Sequence, residues 1–330
     1  MTTLDVVVPT YNRSELLRLA VLSLLRATVP TGLAVTITVV DNNSRDNTRA
    51  IVEALAEQAA ASPGKPPVRY LLETRQSSSF ARNAGIAQSH ADLIGFIDDD
   101  EQVDPHWFEI IAREFADPAV SFIGGPYFAG SDLSLPAWLP PDYPAVIGVM
   151  KPRPRGVFGT TFSGNLNGGN SVFRRSVFDR VGLYSPHLGR SGKGLLSEED
   201  AELYSRIRAA QLHGLYIPEL VIFHHIPPER LTHRYHRRWC LWRGVSQGVL
   251  SRDAAHPRES VPHLLGIPRY RLGRALSTTA GLASLRWRKE PHQRFNAELS
   301  LWDLAGFLYG RFFVRIDRFY QAAKPTPTAP

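Results

Sequence analysis

LDVVVPTYNRSELLRLAVLSLLRA (residues 4–27) is the stretch from which the rest of the chain is read. Its first half is a β-branched run closed by Pro9, and its second half carries apolar residues at helical spacing. That is a strand followed by an amphipathic helix, with Asn12 or Ser14 as the expected N-cap. The unit recurs outward. LAVTITVVDNNS (33–44) reads as a buried strand ending at Asp41, and RDNTRAIVEALAEQAA (45–60) as a helix broken by ASPGKPP (61–67). VRYLLET (68–74) is a third strand, SFARNAGIAQSH (79–90) starts a helix, and ADLIGFID (91–98) is a fourth strand running into Asp98, Asp99 and Asp100. Strands alternating with helices imply an α/β fold with a mostly parallel, doubly wound sheet. Ligands of such sheets sit beyond the carboxyl ends of the strands. Pro9–Tyr11, Asp41 and Asp98–Asp100 all fall at those ends.

Further on, HWFEIIAREFAD (106–117) reads as a helix that Asp104 could cap, and SFIGGPYF (121–128) follows it. Residues 130–165 are rich in Pro, Gly and aromatics and read as irregular chain over a pocket. A glycine-asparagine turn, NGGN (167–170), leads to a strand and helix. LSEEDAELYSRIRAAQL (196–212) is a helix with acids in its first turn, and LYIPELVIFHH (215–225) is one strand ending in His224 and His225. Beyond Pro228 the pattern is helical and basic until KPTPTAP (324–330), a tail expected to be disordered. The expected domains are therefore 1–228, 229–323 and that tail.

The chain has 330 residues, 43% hydrophobic and 21% charged, as in an ordinary soluble globular protein. A single cysteine, Cys240, excludes an internal disulfide and fits a reducing compartment. The N-terminal MTTLDVVVPTYNR has no basic leader, which argues against a secretory signal and for a cytoplasmic location. LSLWDLAGFLYGRFFV (299–314) is apolar, but at 16 residues with Asp303 and Arg311 it is too short and too charged to span a bilayer. The net charge of +7 is uneven: residues 229–330 hold 18 basic and 7 acidic residues, net +11, against 20 and 24, net −4, before them.

Three adjacent aspartates repel one another, and a divalent cation relieves that most directly; a solvated turn is the plainer alternative. SEEDAEL (197–203) supplies further carboxylates, although acids in a first helical turn need no cause beyond the helix dipole. Group transfer requires a carboxylate base separate from the carboxylates that hold metal. His224 and His225 end a strand, so only one of them can face a given site. NGGN allows close backbone approach to a phosphate but is neither a dinucleotide-binding nor a P-loop motif, and a tight turn explains it as well. No G-x-S-x-G supports a serine hydrolase.

VVVPTYNR, VVDNNSRDNT, ARNAGI, GFIDDD, GGNSVFRRSVFDRVG, EEDAELYSRI and FHHIPPERLTHRY, in this order over residues 4 to 240, resemble a family-2 glycosyltransferase of the GT-A fold. The resemblance implies a Rossmann-like sheet flanked by helices, here with a basic helical C-terminal extension. It implies inverting transfer from a nucleotide-diphospho-sugar, with Mn²⁺ or Mg²⁺. Pro9, Tyr11 and Asp41 match positions lining the base and ribose, with Asn12 and Arg13 beside them. Arg82 and Asn83 fall near the nucleotide and diphosphate, and Gly169 and Asn170 are counted on the same side. Asp98 and Asp100 match the outer acids of the D-x-D motif, with Asp100 as direct metal ligand, Asp98 nearer the ribose and Asp99 their neighbour. Asp200 matches the general base with Glu199 beside it, a choice the three consecutive acids leave open, and His224 falls where some members offer a histidine to the metal. The loop RQSSSFARN lacks a glycine common in the family before ARN.

RYHRRWCLWRG (234–244) and LRWRKEPHQRF (285–295) interleave Arg with aromatics. A solvated basic face is one reading, and contact with an anionic membrane, on its inner face, is the second. Nucleic acid is the least supported. The acceptor is left open among a glycan, a lipid-linked molecule and a small molecule. A sugar nucleotidyltransferase would want a basic glycine-rich loop where PTYNRSE has only Arg13. A non-catalytic nucleotide- or membrane-binding module is opposed by intact Asp98, Asp100 and Asp200.

Overall fold

In the computed structural model the described residues are 1–130, 136, 138–139, 144–150, 152–164, 166, 168–186, 188–189, 197–252, 262–284 and 291–314. The expected tail at 324–330, and residues 285–290 of the arginine-aromatic run 285–295, lie outside them. The elements in order are β1 (Thr2–Thr10), α1 (Ser14–Arg26), β2 (Leu33–Asp41), α2 (Thr48–Ala60), β3 (Val68–Leu72), α3 (Ser78–Gln88) and β4 (Leu93–Phe96). Then come β5 (Glu101–Val103), α4 (Trp107–Glu114), β6 (Phe122–Gly124), β7 (Tyr127–Ala129), α5 (Pro144–Ile147), β8 (Gly156–Val157), β9 (Ser171–Arg174) and α6 (Arg175–Val181). They are followed by α7 (Glu199–Ala209), β10 (Gly214–Tyr216), β11 (Ile222–His224), a 3-10 turn (Pro228–Leu231), α8 (His233–Leu250), β12 (His263–Leu264), β13 (Ile267–Pro268), α9 (Arg269–Ser284) and α10 (Pro291–Phe312). The chain divides into two compact units. The first comprises Met1–Leu133, Gly148–Pro186 and Glu199–Ile226; the second comprises Ser134–Ile147, His187–Glu198 and Pro227–Pro330.

Among the described residues the first unit contains an eight-stranded sheet in the order β3-β2-β1-β4-β9-β6-β10-β8 and a smaller sheet β5-β11-β7. The pairs β3–β2, β2–β1, β1–β4 and β6–β10 are parallel, and β9 runs antiparallel to both its neighbours. Both faces are covered, as a doubly wound sheet requires. Leu4, Val6 and Val8 of β1 join the core beneath α1 and α2, while Val7 joins Phe96, Phe173 and Tyr204 on the other face. Pro9 is tolerated because β1 leaves β4 at Val7, so its missing N–H faces a side where the ladder has ended.

Two apolar stretches each serve two sheets, and for LYIPELVIFHH this differs from the single strand expected from the sequence. SFIGGPYF is two strands, β6 and β7, which enter different sheets with Gly125 between them. A Cβ at Gly125 would overlap the carbonyl of Leu220. LYIPELVIFHH is likewise divided into β10 and β11, because Pro218 cannot donate to a ladder and the Leu220 N–H turns back to the Ile217 carbonyl (3.1 Å). The helix caps differ as well. Arg13, not Asn12 or Ser14, occupies the cap position of α1, and the Ser14 N–H is taken by Asp46 Oδ2 (3.0 Å). Asp104 closes the turn before α4 by accepting the His106 N–H (2.9 Å), two residues before the cap position, which His106 itself occupies.

In the second unit α8 and α10 pack through glycines. Cβ atoms at Gly244 and Gly248 would overlap the α10 backbone, and Cβ atoms at Gly306 and Gly310 would overlap that of α8. Two G-x-x-x-G stretches thus face each other and let the backbones touch. Arg271 and Arg243 both pair with Asp303 beside this contact (2.6 and 2.8 Å). No helix among the described residues is long and apolar enough to cross a membrane.

Candidate active site

The carboxyl ends of β1 and β4 bring the first acids together. Thr10, the last residue of β1, donates its hydroxyl to Asp99 Oδ2 (2.8 Å), and Arg13 Nη1 donates to Asp99 Oδ1 and Asp100 Oδ2 (3.0 Å each). Asp99 is therefore the member tied back to the scaffold. The turn closes on itself through Glu101, whose Oε2 accepts the Asp98 N–H (2.8 Å) while its own N–H donates to the Asp98 carbonyl (3.1 Å). One carboxylate oxygen each from Asp98, Asp100 and Glu101 then lies within 4.8 Å of the others. On β11 the alternation buries His224 and exposes Phe223 and His225. His224 Nε2 lies 3.5 Å from Asp100 Oδ2, whereas His225 meets Asp100 through its backbone N–H (2.7 Å to the carbonyl).

Arg82, buried on α3, connects this cluster to the start of α7. Its Nη2 donates to Asp98 Oδ1 (2.8 Å); its Nη1 lies 3.4 Å from Glu199 Oε1 and 3.6 Å from Asp200 Oδ1. Glu199 also accepts the Ser78 hydroxyl (3.1 Å), and its side chain is 10% exposed against 26% for Asp200. Glu199 is thus the held acid of the pair and Asp200 the accessible one.

The glycine turn lies between the two groups. A Cβ at Gly168 would sit 2.5 Å from Asp200 Oδ1 and 2.6 Å from Arg82 Nη2, and one at Gly169 would overlap the Glu101 carboxylate. Tyr127, pointing from β7, donates its hydroxyl to the Gly169 carbonyl. Here glycine is required by side chains already in place. Gly169→Ala should cost about 1–3 kcal/mol by overpacking. Gly273→Ala in α9, with open space around it, should be neutral or stabilising. Thermal melts of the two variants check this, and a Gly169→Ala melt equal to wild type would contradict the contact.

The remaining sequence candidates are placed as follows. Asp41 is buried at the end of β2, accepting the Ser44 N–H and the Tyr70 hydroxyl (2.8 Å each). Pro9 and Tyr11 are half-buried, and Asn12, in the left-handed region (φ 53°), accepts the Arg45 N–H (2.7 Å). Asn83 exchanges two hydrogen bonds with the Tyr184 backbone (2.8 and 3.0 Å). Asn170 spends its side chain on Trp107, Pro126 and Leu220 (2.9, 3.1 and 2.7 Å). Asn83 and Asn170 therefore brace the walls of the site. Sequence reasoning missed Glu101. The signal was its place in E-Q-V, where Glu101 and Val103 point inward and Gln102 outward.

The site holds more negative than positive charge. Burial, then the charge of Asp100, pushes Asp99 up to about 7 against Arg13 and Thr10. Burial, then Asp98 and Asp100, raises Glu101 well above the carboxylate range. Burial is also the largest cause at Asp200, which reaches about 7 with Glu199 and Asp98 adding and Arg82 opposing. Burial alone would lower Arg82, but Asp98 and Asp200, with Tyr184 and Glu199, outweigh it and keep the guanidinium charged. Clustered hard oxygen donors from Asp98, Asp100 and Glu101, in a site with more negative than positive charge, fit a divalent cation such as Mn²⁺ or Mg²⁺.

A mostly parallel sheet flanked by helices, with acids gathered at its strand ends and the antiparallel strand β9 set between parallel ones, is the architecture of GT-A glycosyltransferases. Residues 5–182 match the family model described as "Glycosyl transferase family 2", and the chain belongs to that family. It is a glycosyltransferase. Among sequences it is similar to the succinoglycan biosynthesis protein ExoM of Rhizobium meliloti, 25% identical over 256 residues (77% of this chain, 76% of that protein). It is also similar to the glucosyl-dolichyl phosphate glucuronosyltransferase of Haloferax volcanii, 26% identical over 199 residues (58% of this chain, 61% of that one). Among solved structures the fold resembles the mannosyltransferase PcManGT from Pyrobaculum calidifontis in complex with GDP-Man and Mn²⁺. The TM-score is 0.60 at 16% identity, covering 94% of this chain and 87% of that one.

Proposed function

We propose that the chain is a divalent-metal-dependent, inverting glycosyltransferase that moves a sugar from a nucleotide-diphospho-sugar to an acceptor hydroxyl. One observation carries the reading: a single buried guanidinium, Arg82, joins Asp98 of the acidic turn to Asp200 of α7. A donor-holding group and a proton-accepting group thereby stand on either side of one residue, as transfer in a single step requires. The first unit, with both groups, is the catalytic domain of this proposal. The PcManGT complex, with its GDP-Man and Mn²⁺, supports the donor and the metal.

In this reading Asp98 and Asp100 hold the cation, with Glu101 fixing their turn and His224 beside Asp100. A bound Mn²⁺ or Mg²⁺ supplies Lewis-acid stabilisation of the departing diphosphate. Pro9, Tyr11 and Asp41 line the nucleotide side. Asp200 accepts the proton of the acceptor hydroxyl as its oxygen bonds to the anomeric carbon and the bond to the diphosphate breaks. Attack from the opposite side inverts that carbon, and no side-chain nucleophile is needed. The acceptor is a glycan or lipid-linked hydroxyl, in keeping with the succinoglycan and dolichyl phosphate in the relatives' names. The basic C-terminal third makes peripheral contact with an anionic membrane.

Thermal melts with nucleoside diphosphates and nucleotide-sugars, with Mn²⁺, Mg²⁺ or a chelator, test the proposal. One base type should raise the melting temperature only when metal is present, and Asp100→Ala should lose that rise. No metal-dependent rise with any nucleotide would end the reading.

A further inference from the structure

α10 is apolar on two sides, and packing within its unit accounts for only one. Gly306, Phe307 and Gly310 are buried against α8, while Trp302, Ala305, Tyr309, Phe312 and Phe313 form a single exposed stripe at helical spacing. Phe313, the last of them, is 72% exposed, and its ring stacks near that of Tyr309. A second apolar feature adjoins the end of this helix. The β12–β13 hairpin carries Leu264 and Leu265 at its tip, 56% and 84% exposed, with Leu265 in the left-handed region (φ 52°). A leucine held there, pointing into water, is strained as well as badly solvated. Gly266 lies directly on the Arg311 guanidinium, which places the tip beside Phe312 and Phe313.

Charge selects the partner. Residues 262–284 and 304–314 contain no aspartate or glutamate, whereas Arg269 and Arg252 are exposed and Arg311 is half-buried. Among the described residues the nearby acids are already paired, Glu298 with Arg237 and Asp303 with Arg243 and Arg271. An apolar patch with such a cationic rim fits an anionic bilayer, with rings and leucines at headgroup depth and arginines on the phosphates. A second copy would set the same cations face to face across a two-fold axis. Single-stranded nucleic acid would gain no stacking surface from the two leucines.

We infer that the hairpin tip Leu264–Leu265, together with the Tyr309, Phe312 and Phe313 end of α10, is a monotopic docking surface for anionic lipid. The inference rests on the peripheral membrane contact proposed above and names the surface that makes it. Bound in this way, the chain shares a plane with lipid-linked hydroxyls without spanning the bilayer.

The test is flotation of the full chain with vesicles of phosphatidylcholine alone and of phosphatidylcholine mixed with phosphatidylglycerol. Wild type should float with the anionic vesicles and stay in solution with the neutral ones. Leu264→Ser with Leu265→Ser should lower the floating fraction at least tenfold, Phe312→Ser with Phe313→Ser likewise, and Arg269→Glu severalfold. All three should keep the wild-type melting temperature and transfer to a soluble acceptor. If wild type floats with neither vesicle, the membrane contact itself fails. If it floats and the hairpin variant floats equally, only this surface is wrong. Loss of a dimer, or of RNA binding, in the variants with unchanged flotation would assign the patch to that partner and overturn the inference.

Discussion

Replacing Asp200 by asparagine should lower sugar transfer about 10²–10⁴-fold, the usual worth of a positioned general base. Donor and metal binding should survive, because Asp200 approaches the acidic turn only through Arg82 (3.6 Å). The wild-type rate carries a signature of the same group. With its carboxyl pushed up to about 7, chiefly by burial, Asp200 is protonated in part at neutral pH and accepts a proton only when ionised. The rate should therefore climb as pH rises through about 7 and level off above, and the asparagine variant should lack the climb. Glu199→Gln is the control. Glu199 is held by Ser78 and Arg82, so its loss should disturb the site without removing the proton acceptor. If Asp200→Asn transfers within tenfold of wild type while Glu199→Gln does not, the two roles are exchanged.

The order of strands and helices in the first unit was legible because it is written in local periodicity. β1 and β2 are β-branched runs that end at residues singled out from the sequence, and the short apolar β4 ends at Phe96, two residues before Asp98. The error at LYIPELVIFHH has a local cause too, at Pro218, where one apolar run serves two sheets. Less legible was anything requiring two distant segments at once. Arg82 could be placed on a helix from its sequence, but its bonds to Asp98 and its approach to Asp200 depend on how α3, β4 and α7 meet. Gly168 and Gly169 looked like a turn because the acids they accommodate come from residues 101 and 200. Neighbouring acids at 199 and 200 cannot be ranked by periodicity at all. What separates them is the Ser78 hydroxyl, more than a hundred residues earlier. The helical C-terminal part of the second unit was read from the sequence, but residues 134–147 and 187–198, which join it across long intervals of chain, were hidden for the same reason.

Arg82→Met, which keeps most of the side-chain volume and removes the charge, should be the most damaging change to stability. It strips the compensating cation from Asp98, Glu199 and Asp200 together, and breaking a buried pair from one side costs about 3–5 kcal/mol. The cost should depend on pH, in a direction the titrations fix. Burial already holds Asp200 near 7 in the folded chain, against about 4 when unfolded, and Arg82 is the largest influence opposing that rise. Without it the folded-state value moves higher still, so between about pH 4 and that value the folded chain binds more protons than the unfolded one. Stability then falls as pH rises across this window. In chelator, the variant should melt close to wild type at pH 5 and far below it at pH 8. Arg82→Lys restores a charge but not the fork that reaches both sides, so it should recover part of the stability at pH 8. A deficit of equal size at both pH values would mean that Arg82 acts through packing on Tyr184 (5.5 Å to the ring) and not through the carboxylates it joins.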